Sequence, residues 1–347
     1  MRFSDLKRLI LKLALLGLPL YAVCLYSFFC PLSYMPIEYS MWRQERDYVN
    51  TPSGGVKAAS AVNAHSGQEG ASVKNTPRTL IIGDSRAKSG IIPALLSDED
   101  DAYNIAIGGC NSIEMYYALT DYLACHEAPE DMIVIFAPYH FCDIDNWGQT
   151  MNFNYLSTKR LLSVYKTALK YGDGDMLGEH FFSDLFSCKL RLPNKYLASI
   201  YAAFEEKRGL HNREKYAQVE EDLGYTVFGE EEGNDGLSYE VHHPDFDSSG
   251  LVMDYYKKML DTADAAGIQV YIIQSPVNET SAEKISEEFR SGYAGFMEET
   301  AKAHASFVVE TQIPTYENKY FGDNNHLNRA GAEVFTGEVR NKYFQRQ

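Results

Sequence analysis

The most informative segment of the 347-residue chain reads Thr79-Leu80-Ile81-Ile82-Gly83-Asp84-Ser85-Arg86. Its first half is a short apolar run that stops at a glycine, which is typical of a strand buried on both faces of a parallel sheet. Asp84, Ser85 and Arg86 then follow at the carboxyl end of that strand, where open parallel sheets bind their ligands. The segment therefore predicts an α/β fold and the edge at which a site should lie.

Strand and helix patterns alternate along the rest of the chain. We predict further strands over 101–107, 132–137, 269–273 and 307–309, and helices over 112–125, 251–266 and 281–303. This alternation implies a parallel sheet with helices on both faces.

The stretch 146–247 interrupts this alternation. It is rich in tyrosine, has a helical texture over 155–171 and 194–207, and carries the acidic run Glu230-Glu231-Glu232 near its end. We interpret it as a helical insertion over the carboxyl edge of the sheet, serving as a lid or a partner-binding surface. The alternative is a helical layer with no function of its own.

An N-terminal membrane anchor is predicted over 9–31. Residues 13–30 carry no charge, and about 20 apolar residues are needed to cross a bilayer. Basic residues are concentrated before this stretch, at Arg2, Lys7, Arg8 and Lys12, so residues 1–8 are expected in the cytoplasm and the globular part on the extracytoplasmic side of a single-pass protein. A cleaved signal peptide, a lipoprotein site and a buried hairpin helix fit less well.

The segment after the anchor is predicted to be a connection. Residues 32–77 would form a juxtamembrane segment and, from Thr51 to Pro77, a flexible tether rich in Gly, Ser, Ala, Asn and Lys. The α/β domain would then occupy 78–347, including the insertion.

Charge and composition limit the functional classes. The chain has 32 Lys+Arg and 48 Asp+Glu, a formal net charge of −16, with 45% hydrophobic and 23% charged residues. This composition is that of a folded protein. Because Lys and Arg cluster only at the N-terminus, we expect no nucleic-acid binding.

Cysteine and histidine spacing gives no metal signal. Four of the six cysteines lie outside the predicted anchor: Cys110, Cys125, Cys142 and Cys188. Buried thiols are the favoured interpretation, although export permits disulfides and the sequence does not choose among three full pairings. Since no spacing is typical of zinc, and His242-His243 fits a solvated loop, neither a metal nor another cofactor is expected.

Two short segments carry candidate catalytic residues. Ser85 lies on a tight strand-to-helix turn, where its hydroxyl would face outward but would need a base. Near the other end of the chain, Asp323 precedes His326 by three residues, so that its carboxylate can hold the imidazole in the tautomer that accepts a proton from serine. The alternatives are a helix cap for Ser85 and a structural turn for Asp323 and His326.

Taken together, Gly83-Asp84-Ser85 after the first strand and Asp323-x-x-His326-Leu327-Asn328 before the last helix resemble the SGNH (GDSL-type) hydrolase superfamily. The resemblance covers about 78–145 and 250–344. It implies a flavodoxin-like three-layer α/β/α sandwich, with Ser85 as nucleophile, His326 as base and Asp323 as the acid that orients it. The oxyanion hole would use the Ser85 and Gly109 amides.

The third sequence block departs from the family pattern. An asparagine normally follows the third strand there, but this chain reads Ala137-Pro138-Tyr139-His140. One lost oxyanion donor typically costs about 10²–10³ in rate. Tyr139 or His140 would substitute, or the hole would use the Ser85 and Gly109 amides alone.

The resemblance implies a serine-dependent esterase or O-acyltransferase that forms an acyl-enzyme. With its predicted anchor and altered third block, the chain resembles the exported SGNH proteins that are linked to acylation of cell-envelope polymers. The expected substrate is therefore an acylated polysaccharide, and a membrane-bound O-acyltransferase is an expected partner. The main alternative is a catalytically weak SGNH-fold adaptor for such an acyltransferase. A carbohydrate-binding module built from the 25 tyrosines is weaker, because tyrosines at helical spacing usually pack in the core.

Overall fold

The computed structural model describes residues 3–29, 35–52, 76–97, 101–144, 146–192 and 197–344. Seven short strands lie within these ranges: β1 Thr79–Gly83, β2 Ala102–Asn104, β3 Asp131–Ile135, β4 Gln269–Ile272, β5 Val277–Asn278, β6 Val308–Val309 and β7 Thr315–Tyr316. Five of them form one parallel sheet in the order β2-β1-β3-β4-β6, and β5 pairs with β7 in a separate parallel pair. The predicted α/β fold with a parallel sheet is confirmed.

The strand order determines where a ligand can enter. The chain leaves β1 toward β2 on one side and then returns to place β3 on the other, so the order reverses between β1 and β3. In doubly wound sheets the crevice beyond the carboxyl ends of the strands opens at such a reversal. Residues 84–86 after β1 and residues 136–140 after β3 therefore flank the expected crevice.

Helices cover both faces of the sheet. Their bounds are α1 Phe3–Phe29, α2 Ile37–Val49, α3 Ser85–Gly90, α4 Pro93–Leu96, α5 Ser112–Cys125, α6 Trp147–Asn152, α7 Thr158–Tyr171, α8 Phe181–Lys189, α9 Leu197–Glu205, α10 Arg208–Glu221, α11 Gly250–Ala265, α12 Glu279–Ala282, α13 Glu287–Ala303 and α14 Arg329–Val339. Three-residue and four-residue 3₁₀ turns at Pro138–Phe141, Tyr239–His242 and Asn318–Tyr320 lie between them.

Successive residues of β1 point to opposite faces of the sheet, and each face is covered by its own hydrophobic core. Leu80 and Ile82 belong to the larger core, formed with α5, α7, α11 and α13, whereas Ile81 belongs to the smaller core beneath α3, α4 and α14. All three side chains are fully buried. A strand covered on both faces needs the continuous apolar run seen in the sequence.

The predicted helix over 281–303 is two helices. α12 ends at Ala282, and α13 begins only after Ser286, whose side chain accepts a hydrogen bond from the Phe289 N–H. Ser286 thus acts as an N-cap and starts a new helix where the hydrophobic pattern alone indicated continuity. The other predicted helices and strands agree with the structure to within a few residues at their ends.

Helix α2 lies in the segment interpreted as a connection. Tyr39, Trp42 and Val49 of this helix are buried in the larger core. The indole N–H of Trp42 donates to the Gly108 carbonyl at 3.0 Å, and the Tyr155 hydroxyl donates to Glu45 at 2.8 Å. The α/β body therefore includes residues before 78. Most of the predicted tether, 53–75, lies outside the described residues.

Helix α1 coincides with most of the predicted anchor. Among the residues that the structure describes, no helix combines the length and the apolar character of a membrane span. The transmembrane helix predicted over 9–31 is not confirmed.

The insertion is helical in its first part and irregular in its last. The described residues within 147–192 and 197–221 contain helices α6 to α10, in agreement with the predicted helical texture. Beyond them, the Asn104 N–H donates to the Leu223 carbonyl at 2.9 Å, and Glu240 pairs with Arg86. Residues Leu223 and Glu240 thus lie near the carboxyl edge of the sheet.

Candidate active site

The turn after β1 is built to place Ser85 at the edge of the sheet. Gly83 has φ +151°, and a Cβ there would lie 1.8 Å from the Ile135 carbonyl oxygen, so only glycine fits. Asp84 caps α3 by accepting a hydrogen bond from the Arg86 N–H at 2.8 Å. Ser85 is the first residue of the helix and remains partly exposed, whereas Asp84 and Arg86 are buried.

Asp84 also fastens this turn to the end of β3. One of its oxygens accepts the Ala137 N–H at 2.7 Å and lies 2.6 Å from Nδ1 of His140. Burial alone would raise the pKa of Asp84, but the charge and hydrogen bond of His140 and the Ala137 N–H outweigh it, so the pKa is lowered. A buried carboxylate therefore joins the two strand ends that flank the crevice.

The second half of the site is the loop that carries Asp323 and His326. Asp323 accepts the backbone N–H groups of Asn325 and His326, each at 2.8 Å. Its other oxygen lies 2.8 Å from Nδ1 of His326, which must donate to a carboxylate. Burial raises the pKa of Asp323, but His326 and these N–H groups lower it by more, so the net pKa is below its ordinary value.

This arrangement leaves the other imidazole nitrogen free to act as a base. In a neutral imidazole whose Nδ1 proton is accepted by Asp323, Nε2 holds the lone pair. Nε2 is buried and has no hydrogen-bond partner among the described residues. A buried unpaired acceptor is costly in an ordinary protein interior, and it is the state in which a general base awaits a proton.

The two halves of the site meet through their neighbouring residues. Nη2 of Arg86 donates to the Asn325 side chain at 3.3 Å, across 239 positions of sequence, and to Glu240 at 2.8 Å. Arg86 follows Ser85, and Asn325 precedes His326, so both predicted segments lie at the same edge. Since Nε2 has no partner in the described part of the chain, the Ser85–His326 hydrogen bond is not formed here; such bonds often tighten only with substrate bound.

The predicted oxyanion donor Gly109 lies next to the same turn. The Ile107 N–H donates to the Gly83 carbonyl at 3.1 Å, and the Cys110 thiol donates to the same oxygen at 3.2 Å. Gly109 has φ +76°, which favours glycine. These bonds hold the segment 107–110 against the start of α3.

The two suggested substitutes for the missing asparagine are engaged elsewhere. Nδ1 of His140 faces Asp84, and the ring of Tyr139 packs against Tyr239 and His140 and lies 5.9 Å from the Arg86 guanidinium. Both side chains are buried. The geometry gives neither residue a visible role as donor beside Gly109.

Asn146 lies where sequence reasoning placed no site residue. Its Nδ2 would be 2.8 Å from a Cβ on Gly109, and its Oδ1 accepts from Gln149 at 3.4 Å, so the amide group faces the glycine. Two other unexpected residues are Glu240, the buried partner of Arg86, and Phe228, whose ring lies beside His326. Their positions depend on the path of the insertion, for which the sequence carries no motif.

The remaining candidate groups do not assemble into a second centre. Cys110, Cys125, Cys142 and Cys188 are free thiols, and burial raises the pKa of Cys110 well above its ordinary value, so it is a poor nucleophile. Within the described ranges, no group of three or more His, Cys, Asp or Glu side chains could hold a metal ion.

Comparison with known proteins finds no match: no protein-family model and no curated protein matches the chain.

Proposed function

We propose that the protein is an SGNH-type serine esterase or O-acyltransferase. The observation that carries this proposal is the oriented imidazole of His326, with Nδ1 held by Asp323 and Nε2 buried without a partner, on a loop bonded to the residue after Ser85. A structural turn would not need a buried and unpaired nitrogen. A base that awaits the proton of a serine does.

The reaction proceeds through an acyl-enzyme. Nε2 of His326 takes the Ser85 proton while Oγ bonds to the ester carbonyl carbon, and the negative charge on the carbonyl oxygen is held by the Ser85 and Gly109 N–H groups. The bond to the alcohol oxygen then breaks, and His326 gives its proton to that oxygen. Water or an acceptor hydroxyl reverses these steps, which yields hydrolysis or acyl transfer.

Acylated cell-envelope polysaccharide, or a related polymer, is the substrate class that we propose. The support is the family resemblance at the two motifs, together with a site at the rim of the sheet next to the partly exposed Ser85. A serine, a histidine and an aspartate suffice for this chemistry, so the proposal requires no cofactor.

Labelling by a fluorophosphonate probe tests the nucleophile. Ser85→Ala should abolish labelling of the full-length protein, because the probe reacts with an activated serine hydroxyl. The control is Ser291→Ala, which removes an exposed serine hydroxyl on α13, away from the site. Equal labelling of wild type and the Ser85 variant would show that another residue reacts.

A non-catalytic adaptor for a membrane-bound O-acyltransferase is the second candidate. It is favoured by the absence of the Ser85–His326 hydrogen bond within the described residues and by the exposed Phe182 and Phe186 on α8, which would suit a docking surface. An adaptor should co-purify in detergent with a multispan partner whether or not Ser85 is present. An enzyme should lose its labelling but not its fold in the Ser85 variant.

We also propose that α1 attaches the protein to a membrane, with the α/β body outside the cytoplasm. α1 exposes a large apolar surface, with Leu16 77% exposed, and basic residues precede it. Membrane fractionation and protease accessibility in intact spheroplasts measure both parts of this proposal. Recovery in the supernatant, or protection from added protease, would contradict it.

A further inference from the structure

An irregular segment crosses the candidate site. Residues 226–237, here named the strap, have no helix or strand and run from α3 to the loop that carries His326. At its start, the Thr226 N–H donates to the Lys88 carbonyl at 3.3 Å. Further along, the Glu231 N–H donates to the Gly322 carbonyl at 3.2 Å, and the Asn324 side chain donates to the Leu237 carbonyl at 3.0 Å. The backbone of the strap is thus held on both sides of Phe228.

Phe228 spans the space between the base and the glycine block. Its ring centroid lies 5.1 Å from that of His326. On the other side, its Cζ would be 2.8 Å from a Cβ on Gly108, the residue before the predicted oxyanion donor. One aromatic ring therefore contacts both groups between which an ester must fit.

The chemistry of the proposed reaction defines what must enter this space. The carbonyl oxygen of the ester has to reach the Ser85 and Gly109 N–H groups, while the alcohol oxygen has to lie near Nε2 of His326. The carbonyl carbon then lies between the glycine block and the imidazole, and the acyl chain that it carries must share that volume with the Phe228 ring.

We propose that Phe228 is the specificity-determining residue for the acyl group and restricts it to a few carbon atoms. This inference rests on the proposed acyl-transfer function. A long acyl chain would need the volume of the ring, whereas an acetyl-sized group fits beside it. A hydrophobic pocket discriminates by about tenfold or more for each methylene that it cannot accommodate.

The ring is also the part of the strap that a substitution can change alone. Phe228 is half-buried, and its neighbour Gly229 packs so closely on the catalytic loop that a Cβ there would be 2.2 Å from the Gly322 carbonyl carbon. The backbone position is therefore set by Gly229 and by the hydrogen bonds on either side. Removal of the Phe228 ring should widen the acyl site and leave the strap in place.

The test measures kcat/KM for p-nitrophenyl acetate, butyrate and hexanoate, which share one leaving group. Wild type should prefer acetate. Phe228→Ala should raise the hexanoate-to-acetate ratio by about tenfold or more, and Phe228→Leu should give an intermediate ratio. Tyr201→Ala, which removes an exposed aromatic ring on α9, should leave the ratio unchanged.

The outcomes separate the two proposals. Hydrolysis of acetate that persists in Ser85→Ala would overturn the proposed function, and the assignment of Phe228 with it. Hydrolysis that depends on Ser85, with the same chain-length ratio in wild type and in Phe228→Ala, would overturn the role of Phe228 alone. If the alanine variant unfolds, as judged by circular dichroism, the leucine variant gives the same decision.

Discussion

Asp323 is the residue on which the proposed base depends. Its carboxylate accepts from Nδ1 of His326 and from two backbone N–H groups, and its pKa is below its ordinary value, so it remains ionised at neutral pH. In Asp323→Asn the amide can still accept the backbone hydrogen bonds but can hold His326 in the wrong tautomer. We expect the rate of fluorophosphonate labelling to fall about 10³–10⁴-fold with the fold retained.

A second aspartate provides the control for this experiment. Asp261 is paired with Lys257 at 2.7 Å on the surface of α11. Asp261→Asn therefore removes one negative charge without changing any contact of His326. Its labelling rate should match that of wild type. A change of less than threefold in Asp323→Asn would mean that the aspartate only shapes the turn.

The local motif predicted the Asp323–His326 pair better than the surroundings of the candidate site. Asp323 and His326 are three residues apart, so a single turn brings them together, and this geometry can be expected from the sequence. The contacts of Phe228 and Asn146 depend instead on where long connections return to the sheet. Nothing in the residues around them indicates that path, because non-local packing decides it.

At the scale of helices and strands, α2 carries a buried acid. Burial raises the pKa of Glu45 to about 8 from an ordinary 4.5, although the Tyr155 hydroxyl and the charge of Lys88 lower it. The folded state thus favours the protonated form. The stability that this form contributes is fully present below about pH 4.5 and is lost as the pH rises to about 8.

Glu45→Gln should remove this pH dependence. The neutral amide keeps an acceptor for Tyr155 but has no proton to lose, so the variant should exceed wild type in stability by about 1 kcal/mol or more at pH 8.5 and by less at pH 5. Thermal unfolding at the two pH values measures this difference. Asp47→Asn on the exposed side of α2 is the control; a parallel response of both variants would contradict the assignment to Glu45.

The same helix shows why elements were predicted unevenly. Strands buried on both faces leave an apolar run that can be read from the sequence, as in β1 and β3. α2 instead buries the polar residues Gln44 and Glu45 beside its apolar ones, and polar residues predominate along the whole helix. The sequence of such a helix is typical of a connecting segment, and only its tertiary contacts show that it is buried. The break between α12 and α13 was missed for a similar reason, because the N-cap role of Ser286 is visible only in the structure.

At the scale of the whole molecule, the site is assembled from segments distant in sequence. β1 supplies the turn of Ser85, the loop before α5 supplies Gly109, the insertion supplies Phe228 and Glu240, and the loop before α14 supplies His326. α2 packs against this assembly from outside: Trp42 is buried against Phe153 and Tyr155, and its N–H bonds to the Gly108 carbonyl. The packing of α2 and the geometry of the proposed oxyanion hole are therefore linked.

Two substitutions of Trp42 separate these effects. Trp42→Ala should destabilise the protein by about 3–5 kcal/mol in urea unfolding, because it removes a large buried ring. Trp42→Phe keeps most of the packing but lacks the N–H that bonds to the Gly108 carbonyl. The rate of Ser85 labelling should therefore fall in this variant, while its free energy of unfolding stays close to that of wild type. Asp47→Asn, at an exposed position of the same helix, should alter neither. If Trp42→Ala lowers the free energy of unfolding by less than about 1 kcal/mol, α2 does not unfold together with the rest of the protein. If a stable Trp42→Phe variant is labelled at the wild-type rate, the hydrogen bond to Gly108 does not contribute to the reactivity of Ser85.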